Sequence, residues 1–116
     1  MSEQLEVYDY FLDDDDAPFR RQQERVIHKV IRLLTALPED AATIAELFHL
    51  QGVRGVRSSV TGCPLSVYFA RNGLPGLEVG ARSIGHEAWD VELPKACQRF
   101  VRYFDRGSYK MLRVTA

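Results

Sequence analysis

Four cations near the C-terminal end, Lys95, Arg99, Arg102 and Arg106, are spaced by four, three and four residues. At about 100° per residue they project from one side of a helix, opposite Cys97, Phe100, Val101 and Phe104. No acid interrupts the stripe. Arginine presents a planar fork that meets a carboxylate or a phosphate through two parallel hydrogen bonds, so the chemistry offered is anion binding. A solvated helix face has the same look, which makes the stripe a candidate surface and not a motif. Arg21, Arg25, Lys29 and Arg32 repeat the arrangement earlier in the chain. Arg54 and Arg57, beside Ser58 and Ser59 with no nearby acid, are a third candidate anion contact. Gly52-Val53-Arg54-Gly55 also has the spacing of a G-x-x-G RNA-binding loop, but Gln51 and Ser58 stand where that loop needs aliphatic residues.

Cys63 is the candidate nucleophile. It precedes Pro64 at an expected helix start, where the dipole and free N–H groups lower a thiol pKa. Thiol catalysis also needs a base and a group to orient it, and His86 is the histidine best placed to be delivered to a site. The plain alternative is a small packed residue. Cys97 falls on an apolar stripe and reads as a small hydrophobe. No C-x-x-C or H-x-x-H spacing, calcium loop, P-loop or dinucleotide fingerprint occurs, so neither a metal nor a cofactor is expected.

Charge is sorted along the chain. Residues 1–19 carry seven acids and no base, whereas 94–116 carry six bases against Asp105, within a net charge of −1. An acidic head and a basic tail favour either an internal clamp or charged partners. With 116 residues, 46% of them hydrophobic, the chain can bury one core without disulfides or metal. No apolar run approaches the length of a membrane span and no export leader is evident, so a cytoplasmic protein with reduced cysteines is expected.

The elements that must position these residues follow from periodicity. Residues 1–16 form an acidic arm, in which 5–12 has the composition of a short strand. Residues 17–116 form a single domain. A helix over 17–37 follows from Asp16 as cap, Pro18 in the first turn, and an apolar stripe from Val26 to Leu37. A second helix is expected over 39–50, then a flexible glycine-containing loop over 52–62 and a short helix over 64–72. Two alternating segments, 77–82 and 88–93, give a β-hairpin turning at Ile84-Gly85-His86. The basic helix spans 94–107, and 109–114 is a last strand or packed tail. The fold class is α+β, in the order α-α-α-β-β-α.

Three helices, a hairpin and a helix resemble a winged helix-turn-helix, which implies a third helix in a DNA groove with the hairpin as wing. That third helix offers little beyond Ser66, Arg71 and Asn72, and Glu87, Asp90 and Glu92 give the wing the wrong sign for phosphate. The expected function is therefore a small intracellular, non-enzymatic interaction or regulatory domain working through charged surfaces, on a protein partner or as a homo-oligomer. Nucleic-acid binding through the basic helix and the 52–62 loop is the alternative, and thiol enzymology through Cys63 comes third.

Overall fold

The computed structural model describes residues 16–114, with side chains from residue 20 onward. The expected acidic arm and its strand therefore lie outside the described residues. Helix α1 (Asp16–Ala36) opens at Asp16, and the cap expected there lies outside what is described. Val30, Leu34 and Leu37 bury the C-terminal half of its stripe, while Ile31 remains 45% exposed. Pro38 follows the last turn and breaks the helix, because it has no N–H to donate.

Helix α2 (Ala41–Leu50) is capped by Asp40, whose carboxylate accepts from the Thr43 N–H at 3.1 Å and the Thr43 hydroxyl at 3.0 Å. It ends in a Schellman motif: Gly52 takes φ +72°, Val53 N–H donates to the Phe48 carbonyl and Gly52 N–H to that of His49. Helix α3 (Pro64–Arg71) closes in the same way at Gly73.

The sheet has three antiparallel strands in the order β1 (Glu78–Val79), β2 (Ser83–His86), β3 (Trp89–Glu92). The expected hairpin is thus misregistered. Ile84-Gly85-His86 is not a turn but the body of β2, pairing Ile84 with Val91 and Gly85 with Asp90. The turns are Gly80–Arg82, closed by the Gly80 N–H donating to the Ser83 carbonyl at 2.8 Å, and the two-residue link Glu87–Ala88. Gly85 is required by close approach, since a Cβ there would strike the Trp89 carbonyl and Asp90.

Helix α4 (Lys95–Asp105) and a 3-10 turn (Lys110–Leu112) complete the domain. The expected alternatives for 109–114 resolve into that turn plus one parallel bridge between Gly55 and Arg113. The bridge corrects the expectation of a flexible 52–62 loop. Gly55 N–H donates to the Leu112 carbonyl at 2.8 Å, Val114 N–H to that of Gly55 at 3.0 Å, and Val56 N–H to that of Gly62 at 2.7 Å. A side chain at Gly55 would meet the Cys63–Pro64 backbone.

The core is centred on Phe48, which stacks on Tyr68 at 5.0 Å and meets the edge of Phe100 at 5.3 Å. Phe100 in turn stacks on Tyr109 at 5.6 Å. This packing fixes the rotation of α4, and so determines what its opposite face presents to solvent.

Candidate functional site: a basic groove along helix α4

Ala96, Cys97, Phe100, Val101 and Phe104 are buried, which leaves Lys95, Arg99, Arg102 and Arg106 exposed on the other side of α4. These four line one groove of about 610 Å³, together with Arg82 from the β1–β2 turn. Two hydrogen bonds, one between backbone groups and one from a side chain, hold the walls in place. Leu93 N–H donates to the Arg82 carbonyl at 2.8 Å, tying the turn to the entry of α4, and Gln98 Nε2 donates to the Leu93 carbonyl at 2.8 Å. Sequence reasoning missed Arg82, because a strand over 77–82 hides the turn that brings it over. The signal was the pair of residues between Gly80 and Ser83, whose N–H and carbonyl join at 2.8 Å.

The groove also contains Glu92 and Asp105. Asp105 is engaged elsewhere: its carboxylate accepts from the Ser58 N–H at 2.9 Å. Among the described residues, the five groove cations make no ion pair and no side-chain hydrogen bond; Arg102 lies 5.9 Å from the centre of the Tyr103 ring. The axial distance from Lys95 to Arg106 is about 16 Å, the span of roughly five extended residues. Successive cations are about 4.5–6 Å apart along the axis, close to the ~6.6 Å between alternate side chains of a strand.

The other expected anion contacts do not join this groove. Arg54 is exposed and lines none of it. Arg57 donates through Nε at 3.0 Å and Nη2 at 2.9 Å to the Asp105 carbonyl, so it closes the C-terminal end of α4. Arg71 does the same for α2, donating to the carbonyls of Gln51 at 2.7 Å and Gly52 at 2.9 Å. In α3, Asn72 donates to its own helix at the Tyr68 carbonyl. Ser66, expected to be exposed there, is 2% accessible, and its single hydroxyl proton is shared between the Leu77 carbonyl at 2.8 Å and the Thr61 carbonyl at 3.0 Å.

Cys63 and His86 are not brought together. The thiol is 4% exposed and faces a small cavity of about 220 Å³ with Ser59, Val79, Val101 and Asp105. Burial pushes its pKa up, and the Asp105 charge adds to this. The Leu65 and Ser66 backbone groups pull the other way and do not prevail. His86 is exposed at the end of β2, beside Trp89. Both cysteines are free, and among the described residues no group of three His, Cys, Asp or Glu is placed to hold a metal ion. No helix among them is long and apolar enough to cross a membrane.

Comparisons with family models, curated proteins and solved structures return no match.

Proposed function

We propose that the chain is a small non-enzymatic interaction domain of the cytoplasm that binds an acidic protein segment along α4. The observation that carries this reading is the convergence of Arg82, Lys95, Arg99, Arg102 and Arg106 on one groove, without ion-pair partners among the described residues. An extended segment with Asp or Glu at alternate positions matches the cation spacing. Glu92 and Asp105 within the groove favour a peptide over a phosphate chain, because a peptide can place neutral or basic side chains beside them. The acidic hairpin bounds the surface on one side, and the helix a winged-helix reader would insert has its polar side chains already bonded. Two unpaired buried thiols suit a reducing compartment.

Exposed pairs contribute about 0–1 kcal/mol each, so five supply at most about 5 kcal/mol, a Kd no tighter than about 0.2 mM. The experiment is a competition between a peptide of alternating glutamates and a single-stranded oligonucleotide of equal charge. The proposal expects the peptide to bind at least as tightly, with affinity falling as salt rises. Tighter binding of the oligonucleotide would replace it with the nucleic-acid reading.

A further inference from the structure

A second groove, of about 500 Å³, opens at the other end of the hairpin. Its lining is mostly apolar: half-buried Trp89, Val26 and Leu74, buried Leu77, and exposed Pro75 and Ala88. Gln22 and Gln23 of α1 form the near wall, and His86 and Glu87 lie at the hairpin tip. The Lys29 ammonium sits over Gly73 at the rim, and exposed Arg25 precedes Val26. An apolar floor with one lysine beside it suits an aromatic segment flanked by acids.

The chain carries such a segment immediately upstream. Tyr8-Asp9-Tyr10-Phe11-Leu12 is followed by four aspartates, the last of which is the first residue of α1. Reach allows this segment to arrive there. Along α1, Gln22 lies about 9 Å from Asp16 and Val26 about 15 Å. Extended backbone covers about 3.3 Å per residue, so folding back from Asp16 brings Leu12 within about 13 Å and Tyr8 within about 26 Å. The Gln22 end of the groove is therefore within reach of Leu12, and the Val26 end within reach of residues 8–11. A tether this short supplies a millimolar effective concentration, which a free ligand must exceed to compete.

We propose that the Trp89 groove is the docking site of the chain's own residues 8–12, which bury Tyr10, Phe11 and Leu12 against Trp89 and Val26. Such burial is hydrophobic, so it persists at salt concentrations that screen the α4 groove. It is independent of what α4 binds.

Trp89 is the only tryptophan, so its fluorescence reads the groove directly. Deleting residues 2–15 removes no described element, and far-UV circular dichroism verifies the fold. The expected result is a shift of Trp89 emission to longer wavelength and stronger acrylamide quenching in the truncated protein. The full chain carrying Tyr10→Ala, Phe11→Ala and Leu12→Ala should behave in the same way. A peptide of residues 1–15, added to the truncated protein, should restore the original emission saturably. Equal emission and quenching in all three proteins would overturn the proposal. So would an emission shift in the full chain that disappears on dilution to monomer, because docking would then be between chains.

Discussion

A thiol at a helix start gains from the dipole only while its thiolate keeps enough solvation. At Cys63 burial removes that solvation, and the net effect is a raised pKa. Cys97 is pushed up to about 11 from an ordinary value near 9.0, with burial as the whole cause. Folding therefore favours both protonated thiols, and the contribution of Cys97 to stability is complete below pH about 9. It declines as pH rises from there through the folded-state value near 11. Urea midpoints should fall across this window, and Cys97→Ala should flatten the fall; an equal slope in that variant would mean that other groups titrate. Neither thiol should alkylate in the folded protein at the rate of an exposed cysteine. A native Cys63 that reacts that fast would reopen the reading of it as a nucleophile.

Arginines that look alike in the sequence do different work at the level of elements. Arg57 and Arg71 satisfy the carbonyls left over at the ends of α4 and α2, whereas Arg54, three residues from Arg57, caps nothing. Arg57→Ala should destabilise the domain by about 1 kcal/mol in urea unfolding. Arg54→Ala should stay within about 0.5 kcal/mol of the parent. Equal effects of the two would remove the capping role. The helices and the rotation of α4 were legible in the sequence, because apolar residues recurring at three and four leave one way to bury them. The role of Arg57 was not, since its partner Asp105 is 48 positions away. The hairpin register was not either. Gly85 carries the mark of a turn, but the contact that requires a glycine there is with the Trp89 backbone and exists only in the folded sheet. Arg82 followed that error: assigned to a strand, it could not be seen in the groove wall.

Across the whole molecule, the two grooves lie toward opposite ends of β3, with Trp89 and Glu92 about 10 Å apart along the strand. With residues 8–12 docked as proposed, the remaining residues 2–7 are long enough to span up to about 20 Å. That length would allow Glu3 and Glu6 to compete with an outside partner for the α4 groove. Deleting 2–15 should accordingly raise affinity for heparin, most clearly at low salt; unchanged retention would leave the arm with no part in guarding that groove. The truncated protein is also the right background for testing the central claim, that the α4 cations form an acid-binding surface. The decisive measurement is the affinity of an alternating glutamate peptide for this protein and for its Lys95→Gln, Arg99→Gln, Arg102→Gln, Arg106→Gln variant, at low and high salt. These side chains are exposed and unpaired among the described residues, so the variant should unfold at nearly the parent urea midpoint while peptide affinity and its salt dependence both collapse. The same affinity and salt response in both proteins would contradict the account and leave the stripe an ordinary solvated face.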